Sequence, residues 1–312
     1  MALTEFSDHV VRIELPAEPS QLDLSPDGSQ LAVGLYSSGS GPGVRVYDTE
    51  TGAETHAFGH GVFCGRGVAF GSDGDTLHIL VEVEAGASEL RRVHLGEGTE
   101  EKVAEYGIGE RSSQLVRNAD ASLLAVLGNA AEVWDTRRRE VVRHITTGRD
   151  EVLVGAFHAT EPSIFLYAKD PGFITRWSCA SHTEEARWPA PSPRGGELAV
   201  SPDGRFLYAK GALAAGAFLY ETESGKRLKE VLYDGKSPQP SHVFGPDGAM
   251  LCHLTGTNAR GRRMDTLKRV KGPTDVVPEG IRRSVPIAAS SSAPKVALSK
   301  NNDVAILTLV EG

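Results

Sequence analysis

Six places in this chain set a basic side chain shortly before a hydrophobic run: Arg66, Arg111, Arg149, Arg194, His242 and Arg283. Guanidinium groups are permanently charged, forked donors suited to carboxylate or phosphate. Brought to one opening, five of them with an imidazole would hold an anion or an acidic peptide, and Gln21 stands in the comparable place ahead of the first run. The opposing reading is that these arginines are solvated loop residues, because their offsets from the run that follows vary from about three to nine residues.

A second basic feature is continuous. Arg260, Arg262, Arg263, Lys268, Arg269 and Lys271, then Arg282 and Arg283, stand against only Asp265, Asp275 and Glu279. This stretch carries +5 and leaves -13 for the remainder of a chain whose formal charge is -8. Clustered Lys and Arg fit an acidic protein partner and, more weakly, a phosphate backbone. They also fit an exposed strand pair whose charges discourage edge pairing. No aromatic residues interleave with them as single-strand stacking would require, and the net charge gives no general affinity for nucleic acid.

Residues for covalent or metal chemistry are scattered. His60, His94, His158 and His182 make no ligand spacing with one another or with Cys64, Cys179 or Cys252, so no metal, disulfide or cofactor is expected. Cys252 and His253 are adjacent in an expected strand and would point to opposite faces, which disfavours a nucleophile and base pair. A channel-facing acid such as Glu110 or Glu151 would serve as the general base of a hydrolase, and Asp120, Glu110 and Asp150 lie in or near loops without forming a carboxylate pair that the sequence places across the channel. The stretch from Gly39 to Gly43 lacks the Lys-Ser/Thr ending of a phosphate loop and reads as a surface loop.

The elements that must position these residues repeat. Ser25-Pro26-Asp27-Gly28 returns intact at Ser201-Pro202-Asp203-Gly204 and altered at Gly71-Ser72-Asp73-Gly74 and Gly245-Pro246-Asp247-Gly248, with fainter echoes from Asn118, His158 and Ser291. The spacings are 46, 47, 40, 43, 44 and 46 residues, the period of a four-stranded propeller blade. Each turn is followed by a short apolar run, such as Leu31 to Tyr36 or Ile164 to Ala168, of the kind a strand buried between two sheets requires. Third strands end in an aromatic and an acid, as at Tyr47-Asp48, Trp134-Asp135 and Tyr220-Glu221. The expected fold is therefore an all-β, seven-bladed β-propeller of four-stranded antiparallel blades, one domain over residues 1–312.

The seventh unit, about 284–312, ends before a fourth strand. The run Val10 to Leu15, in a segment of about 9–16, is available to fill that place and complete the last blade. No apolar stretch reaches signal-peptide or membrane-span length, and the expected compartment is the cytoplasm.

The aromatic-acid strand endings, the Ser-Pro-Asp-Gly turn and the pair Gly59-His60 before Val68-Ala69-Phe70 resemble WD-repeat propellers over the whole chain. Only Trp134-Asp135 is a literal Trp-Asp. The family's His, Ser/Thr, Asp and Trp network has few of its members here, so backbone pairing and apolar packing are expected to carry the stability. The octapeptide Ser201 to Tyr208 is similar to repeats of bacterial surface-layer and lactonase-type propellers. The first resemblance implies a non-catalytic scaffold that binds a protein or acidic peptide on the loop face. The second implies a hydrolase acting on an anionic small molecule, and a metabolite-sensing propeller is the remaining alternative.

Overall fold

The computed structural model describes residues 2–36, 41–84, 86–107, 114–146, 152–168, 172–191, 196–211, 216–230, 241–255, 257–266, 268–278 and 287–312. They form a seven-bladed β-propeller of four-stranded antiparallel sheets, with no helix among the described residues.

Strand β1 (Leu3–Glu14) opens the chain. The first blade is β2 (Pro19–Leu24), β3 (Gln30–Leu35), β4 (Val44–Asp48) and β5 (Glu54–Phe58), and the second is β6 (Cys64–Phe70), β7 (Thr76–Glu84), β8 (Ala87–His94) and β9 (Thr99–Tyr106). The third contains β10 (Gln114–Arg117), β11 (Leu123–Leu127), β12 (Ala131–Asp135) and β13 (Glu140–Ile145). In the fourth are β14 (Val152–Phe157), β15 (Ser163–Ala168), β16 (Phe173–Ser178) and β17 (Glu184–Pro189). The fifth has β18 (Gly196–Val200), β19 (Phe206–Gly211), β20 (Ala217–Glu221) and β21 (Arg227–Glu230). The sixth has β22 (His242–Phe244), β23 (Met250–Thr255), β24 (Asn258–Arg263) and β25 (Arg269–Lys271). The last combines β26 (Ile287–Ala289), β27 (Lys295–Lys300) and β28 (Asp303–Glu311) with β1, in the order β1-β28-β27-β26.

The closing strand is longer than the sequence suggests. Val10 to Glu14 pair with Leu307 to Asp303 in unbroken register; after one irregularity Phe6 pairs with Leu309, and after a second Leu3 pairs with Glu311. The polar stretch Ser7 to His9 hides this outer half from a hydrophobicity reading, yet Phe6 packs beside Met250 over Gly261.

The chain divides into two compact units, Met1–Gly109 with Pro240–Gly312, and Glu110–Gln239. In the first, side chains alternate between neighbouring sheets as a period of two demands. Leu31, Val33 and Leu35 of β3 pack with Val11, Ile13, Val304 and Ile306 of the last blade, while Ala32 packs on the other side with Val68, Phe70 and Ile79 of the second. Met250, Cys252 and Leu254 of β23 pack with Val296, Leu298, Ala305 and Leu307. In the second unit Leu127, Val133, Ile164 and Leu166 join the third and fourth blades, and Phe165, Tyr167, Trp188 and Leu207 join the fourth and fifth. Each fully buried Leu, Ile or Val contributes about 1.5 to 3 kcal/mol relative to exposure.

The repeated turn supplies the polar order. Ser25 donates its hydroxyl to Asp27 at 2.6 Å and accepts the Gln30 amide at 3.0 Å. Ser201 repeats this with Asp203 at 2.5 Å and Phe206 at 2.9 Å. The Ser25 hydroxyl first, then the Ser29 amide, hold Asp27 below the usual carboxylate range. A threonine after the third strand then locks the turn from outside. Thr49 donates to the Gly28 carbonyl at 2.6 Å, Thr222 to that of Gly204 at 2.5 Å and Thr136 to that of Ala121 at 2.8 Å. The residue at that corner has positive φ, 70° at Gly28 and 74° at Gly204, and in the third blade Ala121 takes it at 51°. The amide-to-carbonyl bond that opens each turn, Ser25 to Gln30 or Asn118 to Leu123, recurs in the last blade from Ser290 to Lys295, so the echo there begins one residue before Ser291.

The Trp-Asp pair of the third blade serves the same local end. Asp135 accepts the amides of Arg137 and Arg138, both at 2.9 Å, while the buried Trp134 Nε1 has no hydrogen-bond partner. Stability here comes from sheet pairing, packing and turn locks.

Candidate functional site

Within the first unit, the inner strands β2 and β6 carry the geometry best suited to binding. Both are bulged near their starts. In β2 the register steps from Pro19 opposite Leu35 to Gln21 opposite Gly34, leaving Ser20 outside the ladder. In β6 it steps from Gly65 opposite Val81 to Gly67 opposite Leu80, leaving Arg66 outside. A bulge frees one residue from pairing and redirects its side chain. Glycine is required at Gly65, where a Cβ would lie 2.2 Å from the Gly43 carbonyl oxygen.

Arg66 thus lies within an inner strand rather than ahead of it, and its guanidinium is oriented by an acid from the neighbouring strand. Nε donates to Glu82 Oε2 at 2.8 Å, and Nη2 donates to the same oxygen. The Cys64 thiol also donates to Oε2 at 3.2 Å, and the Gly86 amide donates to Oε1 at 3.1 Å. Burial alone would raise the Glu82 carboxyl, but the Gly86 amide, the Cys64 thiol and Arg66 together hold it below its ordinary value. Burial, followed by the hydrogen bond to Glu82, pushes the Cys64 thiol up to about 12. It is a structural donor and supplies no thiolate at neutral pH.

Two aromatic side chains stand out at the same end of these strands. Tyr36 is 51% exposed and Phe63 is 59% exposed. Their backbones are fixed, the Tyr36 amide to the Glu18 carbonyl at 2.9 Å and the Phe63 amide to that of Glu82 at 2.8 Å. Phe63 precedes Arg66 by three positions, and the Tyr36 phenol is near enough to act on the Arg66 charge. Arg66 keeps 35% of its side chain exposed. The arrangement offers an apolar contact with an oriented guanidinium edge.

Sequence reasoning found Arg66 but missed Tyr36, Phe63 and Glu82. Glu82 reads only as an acid at the end of an apolar run, and the exposure of the two aromatics depends on which neighbours the fold leaves away from them. Gln21 has a structural task, donating its Nε2 to the Val68 carbonyl at 3.1 Å.

His242 begins β22 in the sixth blade and is buried, its ring tilted by 34° against that of His253 with centroids 4.4 Å apart. Cys252 turns to the opposite face, into the apolar cluster shared with the last blade. Arg111, Arg149, Arg194 and Arg283 lie outside the described residues, as do Glu110, Asp150 and Glu151. Asp120 holds its own turn, accepting the Ser122 hydroxyl at 2.7 Å. The basic segment falls on one strand pair, with Arg260, Arg262 and Arg263 on β24, Arg269 and Lys271 on β25 and Lys268 just before it. Among the described residues no group of three or more His, Cys, Asp and Glu could hold a metal ion, and no helix is long and apolar enough to cross a membrane.

No protein-family model matches this chain, and no curated protein matches it.

Proposed function

We propose that this protein is a protein-interaction module whose docking point is the bulged start of the first two inner strands. Phe63 and Tyr36 receive an apolar side chain of a partner segment, and the open edge of Arg66 donates to a carboxylate or carbonyl beside it. The observation that carries this reading is two half-exposed aromatics on fixed backbone, one directly after β3 and one directly before β6, together with a guanidinium on β6 already oriented by Glu82. Rigid aromatics and arginine on a preformed surface are the usual anchors of protein recognition, because little side-chain entropy remains to be lost on binding. The resemblance to WD-repeat propellers points the same way.

Selection of displayed random peptides on the full chain tests the proposal. Enriched peptides should combine an apolar residue with an acid. Phe63→Ser and Arg66→Gln should each weaken them at least tenfold, roughly 1.4 kcal/mol. Equal binding by wild type and both variants would remove this site from the function.

A further inference from the structure

The seam between the sixth and last blades changes character toward one end. Val296 and Leu298 of β27 and Ala305 of β28 face the sixth blade and pack with Leu254, Ala259, Val276 and Val277. Side chains alternate along a strand, and partners across strands share a face. The next residue on this face of β27 is therefore Lys300, its partner on β28 is Asp303, and the residues of β1 opposite Asp303 and Ala305 are Glu14 and Arg12. Charged side chains take over from apolar ones.

Across from them, the segment after β25 turns back over the seam. The Val276 amide donates to the Thr257 carbonyl at 2.8 Å, the Asp275 amide to Asn258 Oδ1 at 3.0 Å, and Thr257 Oγ1 to Asp275 Oδ1 at 2.9 Å. The last blade holds the same segment, with Arg12 Nη2 donating to the Asp275 carbonyl at 2.6 Å and Lys300 Nζ to that of Pro278 at 3.1 Å. Between segment and blade lies a cavity of about 230 Å³, walled by Val276, Val277 and Val304 and bearing Arg12, Asp275 and Asp303. Among the described residues Asp303 has neither a hydrogen bond nor an ion pair to its carboxylate, and Lys300 acts on it through charge alone. Burial first, then Glu14, raises the Asp303 carboxyl. Arg12 turns one nitrogen to a backbone carbonyl and has no carboxylate within ion-pair distance among the described residues.

From this cavity we infer a binding site for a small free α-amino acid with an apolar side chain. Its ammonium group donates to Asp303, its carboxylate accepts from the remaining edge of Arg12, and its side chain lies against the three valines. Arg12 and Asp303 are diagonal neighbours on β1 and β28, about 7 to 8 Å apart along the backbone surface, so one compact zwitterion reaches both. A bare amine would meet Arg12 and a bare carboxylate would meet Asp303, each a juxtaposition of like charge. The cavity is smaller than the roughly 300 to 1,000 Å³ of pockets that take drug-sized ligands, which restricts the occupant to few heavy atoms. This site shares no residue with the aromatic one, and either can fail alone.

Isothermal titration of the full chain with L-valine, isobutylamine and isovalerate separates the contributions, because each analogue keeps the branched body and one of the two charges. L-Valine should bind with a millimolar or tighter Kd and each analogue roughly tenfold more weakly. Asp303→Asn, which removes a charge and keeps the shape, should weaken L-valine roughly tenfold while the melting temperature holds or rises. Arg12→Gln should weaken it as much, and Arg138→Gln, a surface change in the third blade, should leave it intact. Absence of L-valine binding to wild type, an analogue that binds as tightly as L-valine, or equal binding by wild type and Asp303→Asn would each overturn the assignment.

Discussion

The Ser20 hydroxyl donates to the carbonyl oxygen of Gly65, tying the bulge of one inner strand to the bulge of the next. Two further rungs follow along the same strands, from Gln21 Nε2 to the Val68 carbonyl at 3.1 Å and from the Phe70 amide to Asp23 Oδ2 at 2.7 Å. Side chains of β2 thus satisfy backbone groups of β6. Arg66 is held in position by a lattice that extends well beyond its ion pair with Glu82.

Asp23 tests that lattice. Phe70 is fully buried, so Asp23→Ala strands its amide without an acceptor, and a hydrogen bond to a charged group is worth roughly 1.5 to 3 kcal/mol. Urea unfolding should show a loss of that size for the alanine variant and a smaller one for Asp23→Asn, which keeps an acceptor. Equal losses would mean that the acceptor is not what matters.

His78 sets an acid limit. Burial first, then the nearby Arg92 charge, pulls its imidazole down to about 4. Below about pH 6.5 the unfolded chain takes up a proton that the folded chain refuses until about pH 4, so stability falls as the pH drops through that window, by on the order of 3 kcal/mol. The locked turn aspartates act in a different range, since a lowered carboxyl loses its contribution only below its ordinary value. Unfolding midpoints at pH 7.5 and 5.0 should therefore converge in His78→Gln relative to wild type, and an unchanged difference would contradict this account.

Strand β1 is the third test. Val11, Ile13 and Leu15 are buried with the first and last blades, and removing residues 1–16 deletes them and bares the edge of β28. The loss, about 1.5 to 3 kcal/mol for each of the three, is comparable with the whole stability of an ordinary domain. The shortened chain should lose its cooperative melt or aggregate, and adding the 16-residue peptide should restore the transition. An unaltered melting temperature would refute the role of β1.

The fold was legible because its instructions are local and repeated. Ser25 to Gly28 states a turn outright, Leu31 to Leu35 a strand buried on both sides, and Val10 to Leu15 the spare strand that the last blade lacks. Ala121 shows the limit, for nothing in its type announces a left-handed corner; Thr136 and the preceding Asp120 impose it. The site was less legible. The bulge at Arg66 arises because Gly65 must pass close to Gly43, more than twenty residues away in the chain. The exposure of Tyr36 and Phe63 likewise follows from tertiary neighbours. The register that sets Arg262 against Arg269 depends on where a hairpin turns, which composition alone leaves open.

The pairing of Glu14 with Asp303 has a consequence for biosynthesis. At ordinary translation rates of about 5 to 20 residues per second, roughly 15 to 60 s separate the emergence of the two. Throughout that interval the leading strand is on the outside of the ribosome without its mate, and sheets that have already formed cannot shelter it. Until β28 is made, Val11, Ile13 and Leu15 lack the strand beside which they are buried in the finished molecule.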